Sequence, residues 1–74
     1  MLEKIRDVML EYIEVSRESI TPETRFLADL SMNSLDIMDM VGQLEDEFGV
    51  IIATEDLNEI FTVQDLIDYL EELI

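Results

Sequence analysis

Cysteine and histidine are both absent from this chain of 74 residues. Without cysteine there is no disulfide staple and no thiolate metal site, so a reducing cytoplasm is permitted. Without histidine, a serine nucleophile has no imidazole to activate it, and a hydrolase built on Ser and His is excluded. Basic residues are scarce as well, four against 19 acidic ones, for a net charge of −15. Coulomb repulsion keeps such a chain from nucleic-acid backbones and anionic membranes, so its partners should present lysine and arginine. No apolar run reaches the roughly 18 residues of a membrane span. The first residues also lack a basic stretch followed by an apolar one. The expectation is a soluble cytoplasmic protein with no membrane insertion. Repeats, low-complexity tracts and internal linkers are missing too, which leaves a single domain over residues 1–74.

What the chain does have is periodic apolar residues, 49% of the total. A chain this acidic without periodicity would read as disordered; with it, folding is expected. A domain of this size buries only roughly 60% of its unfolded surface and leaves little room for a dedicated cleft.

Leu2 to about Val15 reads as an amphipathic helix with Leu2, Ile5, Met9, Tyr12 and Ile13 on one arc and Val8 at its edge. Glu3, Asp7 and Glu11 form a like-charge ladder at i, i+4 spacing that costs a few tenths of a kcal/mol per pair. Residues 16–33 show no period, and a connection this long must be tied down, here by Ile20, Phe26, Leu27 and Leu30. Within it Thr21-Pro22-Glu23-Thr24 predicts a one-turn helical start capped by Thr21. A second helix is expected over Ser34–Phe48, ended by Gly49. Val50-Ile51-Ile52 has no strand to pair with and reads as a buried extended link. Thr54–Phe61 predicts a short helix turning Leu57 and Ile60 inward. A last helix is capped by Thr62 with Asp65 in a capping-box position, and Val63, Leu66, Ile67, Leu70 and Ile74 share one face. The fold class is therefore all-α, a small four-helix bundle of three longer helices and one short helix, with a long loop between the first two.

The second helix carries the candidate site. At about 100° per residue, Ile37, Val41, Leu44 and Phe48 form a core arc, and Asp36, Asp39, Gln43, Asp46 and Glu47 form an acidic stripe opposite. A third face holds Ser34, Leu35, Met38, Gly42 and Glu45. Asn33 is a competent N-cap, which puts Ser34 on the exposed corner where the helix starts. The serine thus shares a face with two apolar side chains that the core does not claim. A calcium loop starting at Asp29 would need glycine at its sixth position and glutamate at its twelfth, but Ser34 and Met40 stand there, so no specific metal site is expected.

The run Asn33-Ser34-Leu35-Asp36, followed by Leu44-Glu45-Asp46-Glu47-Phe48, resembles the acyl carrier proteins, and the likeness continues through Ile52, Glu55–Ile60 and Thr62-Val63. The family usually reads Asp-Ser-Leu where this chain has Asn33-Ser34-Leu35. It often has glycine where this chain has Ser31, and proline is frequent where Ala53 stands. The resemblance implies a carrier and not an enzyme, with 4′-phosphopantetheine from coenzyme A attached covalently to Ser34 and acyl groups held on its thiol as thioesters. It implies docking of a phosphopantetheinyl transferase, acyl transferases, synthases and related enzymes through basic patches that meet Asn33, Leu35, Asp36, Met38, Asp39, Glu45, Asp46 and Glu47. An acyl pocket among Ile37, Val41, Leu44, Phe48, Ile52, Leu57 and Ile60 is implied as well. Fatty-acid synthesis is the first pathway expected, for a monomer. A specialised carrier for polyketide, lipid A, aminoacyl or other acyl chemistry is the alternative. From another class, an unmodified acidic helical adaptor using Leu35 and Met38 would leave Ser34 merely starting a helix.

Overall fold

Asn33 and Thr62 each begin a helix by the same device. In the computed structural model, which describes residues 1–74, the Asn33 side chain accepts from the Asp36 N–H at 2.8 Å, while Thr62 Oγ1 accepts from the Asp65 N–H at 3.1 Å. In both cases the acidic residue reaches back to the cap's own N–H, completing a capping box. Each such cap is worth about 1 kcal/mol. The three α-helices are α1 (Leu2–Met9), α2 (Ser34–Phe48) and α3 (Val63–Leu73). The fourth helix of this strand-free bundle is a short 3₁₀ helix, Thr54–Glu59, and a single 3₁₀ turn, Arg17–Ser19, lies in the long loop. Helix α2 has the expected bounds, and Gly49 ends it in the left-handed conformation at φ 65°.

Helix α1 stops at Met9, short of the expected Val15. The chain continues in tighter turns, with the N–H groups of Glu11 and Tyr12 donating to the carbonyls of Val8 and Met9. The β-branched Ile13 and Val15 and then Ser16 offer little helix propensity beyond that point. Tyr12 and Ile13 still pack against the core from these turns.

The core joins Ile5, Val8 and Met9 of α1 to Met40, Val41 and Leu44 of α2 and Val63, Leu66 and Leu70 of α3, with Ile20, Phe26, Met32 and Ile52 from the connections. Ile20 and Phe26 anchor the long loop, but Leu27 stays 62% exposed and the fully buried Met32 takes its place. The turn that buries Phe26 carries its neighbour Leu27 outward. Ile51 is 85% exposed for a related reason: in an extended segment successive side chains point to opposite sides, and Ile52 is the one turned inward. Ile74 lies beyond the end of α3 and is exposed. Thr21-Pro22-Glu23-Thr24 forms a turn and not a helical start, and its buried Thr24 hydroxyl accepts from the Thr21 N–H at 2.8 Å and donates to the Ser19 carbonyl at 3.0 Å.

All four cations are engaged. Arg17 reaches from the loop to Glu3 and Asp7, each at 2.7 Å, so two rungs of the expected repulsive ladder are bridged. Arg17 and Arg6 together hold the Glu3 carboxyl below its usual range. Arg6 also donates to the Ile20 carbonyl at 2.8 Å, Lys4 pairs with Glu47 at 3.2 Å, and Arg25 pairs with Asp29. Exposed pairs of this kind are worth little singly. They link the loop to α1 and α1 to α2, whose packing rests on the shared apolar core.

Candidate functional site

Two helix starts are capped alike, yet their free donors differ. At α3 the long loop covers the first turn: the Val63 N–H donates to the Thr24 carbonyl at 2.9 Å and the Gln64 N–H to the Pro22 carbonyl at 2.8 Å. With Asp65 served by Thr62, no donor remains there for anything else. At α2 the Asp36 N–H is taken by Asn33 and the Ile37 N–H by the Asn33 carbonyl, while the N–H groups of Ser34 and Leu35 have no acceptor in the chain. Ser34 is exposed and its hydroxyl makes no hydrogen bond within the chain. An exposed hydroxyl beside two free N–H donors at the positive end of a helix can hold a phosphodiester. The Asp36 carboxylate opposes that attraction, held there by its 3.5 Å contact to the Asn33 N–H.

Beside this start lies an apolar cavity of about 290 Å³. Helix α2 contributes Ile37, Met40 and Val41, the loop contributes Arg25 to Ala28, the 3₁₀ segment and its exit contribute Leu57, Asn58, Ile60 and Phe61, and α3 contributes Leu66. Of the residues expected from the sequence, Ile37, Val41, Leu57 and Ile60 border it. Leu44, Phe48 and Ile52 do not, being packed into or against the core. Met40, Phe26, Leu66 and the rim residues Leu27 and Phe61 are the linings that sequence reasoning missed. Met40 falls on the side of the wheel toward α1 and carried no signal of its own. The wall opposite α2 is held by Tyr69, whose hydroxyl donates to Asp56 at 2.6 Å and accepts from the Ala53 N–H at 3.3 Å. That bond to Asp56, followed by burial, pushes the Tyr69 hydroxyl pKa up.

The acidic stripe is less open than its sequence implies. Gln43 accepts from the Tyr12 hydroxyl at 2.8 Å and also bonds Glu11, and Glu47 pairs with Lys4, so these two positions face α1 and the turns that follow it. Burial, then Asp39 and Glu11, raise the Tyr12 pKa. Glu45 accepts from the Ile52 N–H at 2.7 Å, pinning the chain that leaves α2. Asp39 and Asp46 make no ion pair within the chain and stay exposed beside Leu35, 72% exposed, and Met38, 46% exposed. No group of acidic residues is arranged to hold a metal ion. No helix is long and apolar enough to cross a membrane.

Residues 3–70 match the family described as the phosphopantetheine attachment site. An acyl carrier protein of Syntrophus aciditrophicus (strain SB) is 44% identical over 69 residues, spanning 93% of this chain and 86% of that protein. A solved structure of the acyl carrier protein from Enterococcus faecalis superposes with a TM-score of 0.83 at 30% identity, covering 99% of this chain and 92% of that one.

Proposed function

The chain belongs to the phosphopantetheine-attachment family of acyl carrier proteins, and from that premise we propose that Ser34 bears the arm and that the cargo is a fatty-acyl intermediate. The family's cofactor is a covalently attached 4′-phosphopantetheine, and its members are carriers rather than catalysts. The thiol of that group supplies the thioester chemistry. What this chain supplies is the mount and the shelter.

The observation that carries the reading is the contrast between the two helix starts. Only the start of α2 combines an exposed hydroxyl with unclaimed N–H donors, at Ser34 and Leu35. In the loading step the Ser34 oxygen bonds to the phosphorus nearest the pantetheine of coenzyme A, the pyrophosphate link breaks, and the nucleotide leaves while the transferase takes the serine proton. The cavity then offers an apolar refuge. Apart from Arg25 and Asn58 its lining is hydrophobic, which suits a hydrocarbon chain. That lining favours a saturated acyl chain over an aminoacyl cargo. Leu35, Met38, Asp39 and Asp46 are the docking contacts for the transferase and the acyl-handling enzymes, with Asn33, Asp36, Glu45 and Glu47 at their margin. Electrostatic attraction between this face and basic partners favours fast, exchangeable encounter. The protein acts as a single monomeric carrier domain in the cytoplasm.

The test is intact-protein mass spectrometry after incubation with coenzyme A, Mg²⁺ and a broad-specificity phosphopantetheinyl transferase. The parent should gain one phosphopantetheine and Ser34→Ala none. A parent that stays bare, also as Asn33→Asp, would refute the assignment.

A further inference from the structure

Residues 53–60 are fastened at both ends and at one point between. Before them, the Ile52 N–H donates to the Glu45 carboxylate at 2.7 Å. After them, the N–H groups of Phe61 and Thr62 donate to Asp65 at 3.0 and 3.1 Å, and the Phe61 carbonyl accepts from the Phe26 N–H at 3.1 Å. Between these anchors the backbone bonds are local, from Asp56 to Ala53 and from Ile60 to Leu57. The one tie to the rest of the chain is the Tyr69 hydroxyl, which donates to Asp56 and accepts from the Ala53 N–H. No ion pair reaches the segment, and its 3₁₀ helix buries none of its residues fully. Charge works against this single tie. Asp56 and Glu59 of the 3₁₀ helix line one groove with Asp65, Asp68 and Glu72 of α3, and no lysine or arginine borders it. Like charges so placed push the 3₁₀ helix away from α3. The same segment gives Leu57 and Ile60 to the apolar cavity.

We propose that residues 53–60 form a flap over the apolar cavity, latched by the Tyr69 hydroxyl, and that release of the latch lets an acyl chain pass in and out. The part of this inference that concerns cargo rests on the carrier reading above. Tyr69 is a positioning residue, because it lies outside the cavity lining and acts through Asp56 and Ala53. With its bonds made, Leu57 and Ile60 complete the apolar lining shared with Ile37 and Val41. With them broken, carboxylate repulsion lifts the segment and opens that lining to water. Glu45 and Asp65 still hold the two ends, so the opening is confined to the flap while α2 and α3 keep their places. A hydroxyl donating to a carboxylate is among the stronger hydrogen bonds, so one such bond can oppose the repulsion. The strength of the latch then sets how long an apolar cargo stays sheltered.

The experiment compares the parent with Tyr69→Phe, which keeps the ring and removes only the hydroxyl. Hydrogen exchange of the unmodified protein, followed amide by amide by NMR, reads the flap directly. In Tyr69→Phe the amides of Asp56 and Ile60 should exchange roughly ten-fold faster or more, with those of α1 unchanged. Adding Asp56→Ala should accelerate them no further, since no bond is left to break and one charge is removed. Added salt should slow the exchange in Tyr69→Phe by screening the groove. Unchanged exchange at Asp56 and Ile60, or equal acceleration throughout the chain, would overturn the latch. For cargo, octanoyl and acetyl forms are loaded from their coenzyme A thioesters by the same transferase, and cleavage by hydroxylamine is timed. Tyr69→Phe should shorten the life of the octanoyl form by roughly three-fold or more and leave the acetyl form, too short to use the cavity, unaffected. An equal effect on both would overturn the link between flap and cargo. A parent that takes up no phosphopantetheine would overturn the carrier reading, while the exchange data would still decide the flap.

Discussion

Replacing Ser31 by glycine should stabilise the protein although no contact is gained. Ser31 is the one residue other than glycine at positive φ, at 54°, and a Cβ in that conformation costs about 1–2 kcal/mol. Its N–H donates to the Leu27 carbonyl at 3.2 Å, a bond that glycine keeps. Glycine also widens the unfolded ensemble, which returns about 0.5–1 kcal/mol of the gain. The net expectation is about 0.5–1 kcal/mol in favour of Ser31→Gly. An unfolding entropy of about 2.1 cal/mol/K per residue over 74 residues converts this to a rise in Tm of about 3–6 °C. Gly49→Ser is the mirror experiment, because Gly49 holds φ 65° at the end of α2. It should lower Tm by a similar amount. Melts followed by far-UV circular dichroism in one buffer measure both. A Tm for Ser31→Gly at or below that of the parent would refute the reasoning, since it would mean that the left-handed Ser31 is not strained.

Two further outcomes follow from charge. Asp65 accepts from the N–H groups of Phe61 and Thr62 at 3.0 and 3.1 Å, and these bonds hold its carboxyl below the usual value of 3.8. A depressed folded-state pKa contributes stability that is present above the unfolded value and is lost as pH falls through the folded one. Asp65→Asn should therefore melt below the parent at neutral pH, with the gap closing toward about pH 2; a gap constant across that range would contradict the assignment. Millimolar Mg²⁺ or added salt should raise Tm by screening repulsion among the unpaired carboxylates such as Asp39 and Asp46, and a melt indifferent to both would remove self-repulsion as a factor in stability.

Where one helix supplies both the pattern and its punctuation, the fold was legible in the sequence. Asn33, the apolar arc and Gly49 mark α2 within one continuous stretch, and Thr62 with Asp65 marks the start of α3. Helix α1 is different, because its apolar arc continues through Tyr12 and Ile13 after the helical bonds have given way to tighter turns. Periodicity reports burial, and burial outlasts the helix there. The exposed Leu27 and buried Met32 were not legible for a related reason: a loop without a period offers no rule for which of several apolar residues turns inward. The acidic stripe misled in the opposite sense. Gln43 reads as solvated on the wheel, yet it is half-buried under Tyr12 from the turns after α1, and Glu47 stays exposed but pairs with Lys4 of α1.

The same limit applies to the site itself. From sequence, Asn33 and Thr62 are equivalent caps, and each predicts a helix start with donors to spare. They part because the carbonyls of Pro22 and Thr24 reach α3 and not α2. Those carbonyls are backbone groups with no side-chain signature, aimed by the turn that Pro22 begins and by Thr24, whose buried hydroxyl locks that turn. The loop that leaves Ser34 and Leu35 open to a phosphate is thus the loop that closes α3 to one. A substitution that loosens the turn, such as Thr24→Val, acts first on the start of α3, far along the chain from Ser34. Closure of the α3 start therefore depends on residues that no local motif at Thr62 includes.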